Sequence, residues 1–403
     1  MKNKRVLLLI NIFRRDIGSV FVLSKLLEEN GCKCFITGFF NYNRIDTKLW
    51  NPDVIVVLSV NRVLKLKKAY PKADIFYIPG EGGENYPNCE ERVLAEEEEI
   101  FNGITKIFLW GKNAIENITK RIDEIGSDCF LDGKEDILLK KIKVVGQPRY
   151  DLVEFSNNNA NNEKINIGFI GNFAAINSIT GRTTLFKVLS EDSTIYQQVI
   201  SQVNMGKLYC DVIKKLDNSI YNYSIRPYPG EYVNQYFDAE IINKYSVQID
   251  ESYDFGTWIS KQDLIIGPTS STYGLIAAMN KPLLLVDFVN NSRDESEYKM
   301  SMSKLFHQDI ILPRTLEQLL KMIKDFRSME IYGPKQDIIL DQLYSIKMKG
   351  SVLARISNEI KSILDAKNRF SIRLHIPFFL LKFIDRFIFI FKENKNRYSS
   401  MCY

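Results

Sequence analysis

The sequence predicts an α/β protein made of two doubly wound parallel halves with a helical extension. Three observations carry this. Short apolar runs without polar alternation, such as Leu264–Ile266, have the composition of strands buried on both faces, and they recur between stretches of helical periodicity. Residues 151–164 contain Ser-Asn-Asn-Asn-Ala-Asn-Asn-Glu-Lys, a polar linker that divides the chain. With 403 residues, the chain is long enough for a core on each side of that linker.

Residues 1–150 form the first expected domain. Arg5–Ile12 is its opening strand. Arg14, Arg15 and Asp16 are expected in the turn that follows, and Ser19 as the cap of a helix whose Val20, Leu23, Leu26 and Leu27 share a face and which ends at Gly31. Strands are expected at Cys34–Thr37, at Val54–Leu58 after the turn Asn51-Pro52-Asp53, and at Ile75–Ile78. There the chain enters the loop Pro79-Gly80-Glu81-Gly82-Gly83-Glu84. Ile107–Trp110 and Lys143–Val145 are the last strands of this half.

The second expected domain, residues 165–345, starts with a strand at Ile165–Ile170. Helices near 183–191 and 195–217 follow, then strands at Tyr223–Arg226 and Ser246–Ile249. Asp263–Asp287 then reads strand, loop, helix, strand. Gly267 and Pro268 stop the first strand, Thr269, Ser270 and Ser271 supply hydroxyls, and Thr272 is the expected N-cap. Lys281-Pro282 ends the helix before the strand Leu283–Val286. Hydroxyls fed into a helix N-terminus suit an anion, because free N–H groups and the positive end of the helix dipole face it. Leu316 to Ala366 has helical periodicity, and residues 346–403 form the extension.

Composition excludes several function classes. Net charge is +5, yet Lys367–Arg397 alone carries eight Lys or Arg against two Asp or Glu, which leaves 46 basic and 47 acidic residues elsewhere. The body therefore offers no case for a nucleic-acid partner. Six cysteines without a CxxC pair and only two histidines, His307 and His375, argue against a zinc site, and scattered thiols suit a reducing cytoplasm. The opening Met1–Asp16 has too short an apolar run for a signal peptide. Gly168-Phe169-Ile170-Gly171-Asn172-Phe173 lacks the third glycine of GxGxxG, and no P-loop, HExxH or GxSxG occurs.

In doubly wound sheets ligands sit beyond the carboxyl ends of the strands, so the residues just after each strand are the candidates. Glu81 and Glu84 stand on a loop where Gly82 and Gly83 permit close approach, and a carboxylate there could take a proton from an acceptor hydroxyl. The same loop also fits a solvated turn. Arg226-Pro227-Tyr228-Pro229-Gly230-Glu231 follows a strand, and its guanidinium fork matches phosphate. Arg149, in Gly146-Gln147-Pro148-Arg149-Tyr150-Asp151, fits either a cleft contact or an ion pair at a hinge.

The order of these motifs resembles the bacterial surface carbohydrate biosynthesis proteins, glycosyltransferases with a GT-B-like fold of two Rossmann-like domains. The matching pieces are the opening strand with Arg14-Arg15-Asp16, Glu81-Gly82, Trp110-Gly111, Gly146–Asp151, Asn172-Phe173, Arg226–Glu231 and Ser270-Ser271-Thr272. More distantly, the acidic glycine loop, the Pro-rich loop and the serine pair are similar to those of bacterial sialyl- and polysialyltransferases. There Tyr228 stands where histidine is expected, and it can donate a hydrogen bond but carries no charge. The resemblance implies transfer of a sugar from a nucleotide-activated donor, such as a CMP-sugar, to a surface polysaccharide or glycolipid. It implies Glu81 as the catalytic base, and Arg14, Asp16, Gly82, Glu84 and Arg149 around the acceptor. Gly171, Asn172, Arg226, Tyr228, Pro229, Glu231, Ser270, Ser271 and Thr272 would surround the nucleotide. No metal and no cofactor is expected, the nucleotide sugar being a substrate. A polyol-phosphate transferase, a nucleotide-sugar epimerase and a non-catalytic sugar-binding subunit are the alternatives on the same architecture.

The extension adds one expectation. Ile376–Phe391 places Lys382, Asp385 and Arg386 on a narrow helical face and covers the rest with Phe, Leu and Ile. Basic residues flank it from Arg369 to Arg397, which suits a helix lying in the surface of an anionic membrane, at the cytoplasmic face where lipid-linked acceptors are made. A helix packed on the protein's own core is the alternative.

Overall fold

The computed structural model describes residues 4–80, 97–156, 163–177, 194–232, 239–253, 255–268, 270, 272–289, 312–332 and 336–366. Two parallel sheets carry the fold. The first contains β1 (Lys4–Ile10), β2 (Cys32–Gly38), β3 (Val54–Val57), β4 (Asp74–Tyr77), β5 (Lys106–Leu109) and β6 (Ile142–Val144), in the order β2-β1-β3-β4-β5-β6. The second contains β7 (Ile165–Ile170), β8 (Tyr221–Arg226), β9 (Gln248–Ile249), β10 (Leu264–Gly267) and β11 (Leu283–Leu285), in the order β11-β10-β7-β8-β9. Every ladder in both sheets is parallel. This is the two-domain, Rossmann-like arrangement of a GT-B-like protein, with a helical C-terminal region. Burial on both faces explains the apolar runs: β3 and β10 are buried at every residue.

The two halves share a clasp at the start of their central strands. Arg5 N–H donates to Asp53 Oδ2 at 2.9 Å, and Asp53 N–H returns to Arg5 O at 2.8 Å. In the second half Asn166 N–H donates to Asp263 Oδ2 at 2.8 Å, and Asp263 N–H returns to Asn166 O at 2.9 Å. Each aspartate stands just before the strand that crosses back to lie beside the first one, so the clasp sets register where strand order reverses. The reversals fall between β1 and β3 and between β7 and β10. These are the topological switch points at which doubly wound sheets bind ligands.

Several boundaries differ from expectation for local reasons. The first helix, Phe13–Glu29, begins ahead of Ser19 and takes Arg14, Arg15 and Asp16 into its first turn. Asp16 causes this: its Oδ2 accepts the Ile12 N–H at 2.8 Å and satisfies a donor that the helix leaves open. Ser19 is buried and donates to Asp16 O at 3.2 Å instead of capping. The helical stretch from Leu316 to Ala366 divides into Leu316–Asp325, Gln336–Tyr344 and Val352–Ala366. Thr315 caps the first of these, its Oγ1 accepting the Gln318 N–H at 3.2 Å, and Gln318 Oε1 accepts the Arg314 N–H just ahead of the cap at 2.8 Å. The helix expected near 183–191 lies outside the described residues.

The last described helix returns to the first half. Val352, Leu353, Ile356, Ile360 and Leu364 pack with Val20, Leu23 and Leu27 in one core cluster. Asn30 Nδ2 donates to Ser357 Oγ at 3.0 Å, and Arg355 donates to Val145 O at 2.6 and 3.0 Å. Its N-terminus is capped by Asp151, from the 3-10 helix Pro148–Ser156, which accepts from Ser351 Oγ at 2.6 Å, Val352 N at 2.9 Å and Leu353 N at 2.7 Å. Asp151→Ala removes all three bonds. It is expected to cost about 1–2 kcal/mol, read as faster amide exchange confined to the helix Val352–Ala366. Residues 367–403, with the expected amphipathic segment, lie outside the described residues. Among the described residues no helix is long and apolar enough to cross a membrane.

Candidate functional site

Segments that follow strands of the two sheets meet each other. At the rim, Phe13 of the first half meets Tyr253 of the second edge-on, with ring centroids 5.4 Å apart, and Arg14 Nη2 lies 3.9 Å from Glu251 Oε2. At the base, Tyr344 is the wedge. Its ring lies 6.2 Å from Trp110 and 5.3 Å from Tyr150 in the first half, and it fills the space beside Gly274 at the start of the helix Tyr273–Ala278 in the second. Trp110 thereby joins the core cluster of Ile170, Trp258, Tyr273 and Ile276. Burial, with Tyr344 alongside, pushes the Tyr150 hydroxyl well above its ordinary range, so it stays protonated.

Glycine at 111 is required by this base. A Cβ there would overlap the carbonyl groups of Gln342 and Leu343, which are backbone and cannot swing away. Gly111→Ala is expected to destabilise the protein by about 1–3 kcal/mol, measured as a lowered melting temperature, with the tryptophan emission of the interface shifted to the red.

In the first half, Asp16, Gly80, Trp110 and Arg149 line one small cavity of about 30 Å³, room for about one water. Asp16 is buried and held by Arg15, whose Nε donates to Oδ1 at 2.6 Å. Arg149 Nη2 donates to Gly80 O at 3.0 Å, and its guanidinium lies 5.8 Å from the Trp110 ring centre. Arg15 Nη2 stands where a Cβ on Gly80 would point. Two guanidinium groups therefore flank the backbone from which the acidic loop departs. Glu81, Gly82 and Glu84 themselves lie outside the described residues.

In the second half, Gly171 and Asn172 follow β7, Arg226 ends β8, and Ser270 and Thr272 follow β10, so they bracket the β7–β10 switch point. Gly171 N–H donates to Arg226 O at 2.7 Å. Arg226 is buried; its Nη1 donates to the Asp250 carboxylate and to Ser252 Oγ at 3.0 Å, and its guanidinium lies 5.7 Å from the Phe255 ring centre. Glu231 is fully buried, and its carboxylate accepts the Phe173 N–H, tying the loop after β8 to the loop after β7. Tyr228 is 38% exposed and stands ahead of that brace, with Pro229 beside it. Thr272 holds the expected N-cap position, with no side-chain cap bond of its own, and Ser270 Oγ accepts from Thr272 N at 3.3 Å and Oγ1 at 3.1 Å. Ser271 lies outside the described residues.

Sequence reasoning missed Asp250 and Ser252, the partners of Arg226, and Tyr344, the wedge. A signal existed for Asp250, which follows β9 directly and so occupies a strand-end position like the others. Tyr344 left none, because its role depends on three segments meeting.

No protein-family model and no curated protein matches this sequence. Solved structures do match in fold. S. aureus MnaA with UDP superposes on 93% of this chain and 100% of its own length, with TM-score 0.53 at 14% identity. The wall teichoic acid polymerase TagF, solved with CDPG, covers 91% of this chain and 90% of its own, with TM-score 0.54 at 13% identity. A Listeria monocytogenes protein named as a UDP-N-acetylglucosamine 2-epimerase covers 93% of this chain and 100% of its own, with TM-score 0.50 at 12% identity. At these identities the likeness is one of fold, and it extends over nearly the whole chain.

Proposed function

We propose that this protein is a glycosyltransferase that moves a sugar from a nucleotide-activated donor to an acceptor of bacterial surface-glycan assembly. The observation that supports the reading is a contact between the segments that follow strands of the two halves: Arg14, in the helix after β1, lies 3.9 Å from Glu251, just after β9. The donor nucleotide occupies the second half, with Arg226 and the Ser270 loop toward its phosphate and Gly171, Asn172 and Tyr228 around the remainder. Glu231 acts behind them as a brace. The acceptor lies against Arg14, Asp16 and Arg149. Glu81 takes the proton of the acceptor hydroxyl, its oxygen bonds to the sugar carbon, and the bond to the nucleotide phosphate breaks with the charge received by the donor site. The basic segment 369–397 holds the protein on the cytoplasmic membrane surface.

One further reading has its own support. Two of the fold neighbours are a UDP-bound protein and one named as a nucleotide-sugar epimerase, so epimerisation of the free donor is the alternative chemistry on this scaffold. The test takes two steps. A thermal-shift screen with CMP, CDP, UDP, GDP and their sugars finds the nucleotide, since binding to the folded state raises the melting temperature. The labelled nucleotide sugar is then incubated with and without lipid-linked glycan. Label in the glycan supports the transferase, and inversion of a sugar carbon in donor alone supports the epimerase. Neither product, with binding intact, overturns both in favour of a binding subunit.

A further inference from the structure

The segment after β9 faces two ways. Asp250 and Ser252 turn to Arg226: the Asp250 carboxylate and Ser252 Oγ both accept from Nη1, and Ser252 Oγ donates to Asp250 Oδ2 at 3.0 Å. The residues that alternate with them turn to the other half. Glu251 lies 3.9 Å from Arg14, and Tyr253 meets Phe13. Alternation of this kind is what an extended chain imposes on successive side chains. Asp250 N–H donates to Ile225 O at 2.9 Å and anchors the segment beside β8. Phe13 and Tyr253 remain 56% and 54% exposed, so their contact is a rim contact that can form and release without opening a core.

We propose that Asp250–Tyr253 is a coupling strap between the nucleotide pocket and the first half. Asp250 and Ser252 are positioning residues for Arg226, and Glu251 and Tyr253 carry that arrangement to Arg14 and Phe13. A shift of one half against the other pulls on the outward pair and therefore moves the inward pair. By linkage, whatever contact with the first half does to nucleotide affinity, nucleotide does to contact with the first half. The inference rests on the reading of Arg226 as a nucleotide contact.

The test uses the full chain, calorimetric titration with UDP and CDP, and small-angle scattering with and without nucleotide. Phe13→Ala and Tyr253→Ala are expected to bind the preferred nucleotide about 5–10-fold more weakly and to lose any nucleotide-induced change in radius of gyration. Arg14→Glu and Glu251→Arg are each expected to weaken binding, and the two together to restore it, a rescue that mere loss of structure would not produce. Should an aromatic variant unfold, the charge swap at the rim decides. Affinities within twofold of wild type in these variants, with Arg226→Ala still losing nucleotide, overturn the strap and leave the donor site standing. Absence of any nucleotide binding by wild type overturns both.

Discussion

Glu81→Gln is expected to lower turnover by about 10²–10⁴-fold, the range for a positioned general base, with nucleotide affinity little changed. The substitution keeps the size of the side chain and removes its ability to accept a proton. The setting supports the choice. Glu81 follows Gly80, whose carbonyl is held by Arg149 at 3.0 Å and whose α-carbon is backed by Arg15, so the backbone just before it is held in place. Single-turnover measurement with labelled donor separates loss of chemistry from loss of binding. Near-normal turnover in Glu81→Gln together with collapse in Glu84→Gln would assign the role to Glu84.

Arg226→Ala is expected to weaken nucleotide binding by about 1.5–3 kcal/mol, the range for hydrogen bonds to a charged group. That corresponds to roughly 10- to 150-fold in dissociation constant. It also strips Asp250 of its guanidinium partner, so a modest loss of stability accompanies the loss of affinity. Arg226→Lys tells the two apart. The ammonium can keep the pairing with Asp250 but lacks the planar fork, so stability should recover more than affinity does. An Arg226→Ala protein that folds and binds nucleotide as wild type does would remove Arg226 from the donor site.

Much of the architecture was legible in the sequence, because a strand buried on both faces must be apolar throughout. The runs at Val54–Val57 and Leu264–Ile266 could hardly be anything else, and their alternation with helical spacing implies parallel pairing. Strand ends read together with residue chemistry then named Arg226 and Ser270, and the motif resemblance added Gly171 and Asn172; in the structure Gly171 and Asn172 follow β7, Arg226 ends β8 and Ser270 follows β10. A short-range exception arose where a side chain inside a helix satisfied an N–H ahead of it. Asp16 claims the Ile12 N–H and starts a helix that Ser19 was expected to start, whereas Thr272 holds the N-cap position expected of it.

By itself, then, the sequence determined two parallel α/β halves and the places where their strands end, since each of these has a local periodic trace. The tertiary structure alone decided what depends on residues far apart in the chain. Asp151 caps a helix 201 residues later, Asn30 pairs with Ser357 across 327 residues, and Tyr344 joins Trp110, Tyr150 and Gly274 at the base of the crevice. In the sequence Arg226 is a guanidinium fork suited to phosphate, and only the fold brings Asp250 to it from the end of a neighbouring strand. Such pairings are chosen by packing between elements, which imposes no period on the chain, and no local pattern announces them.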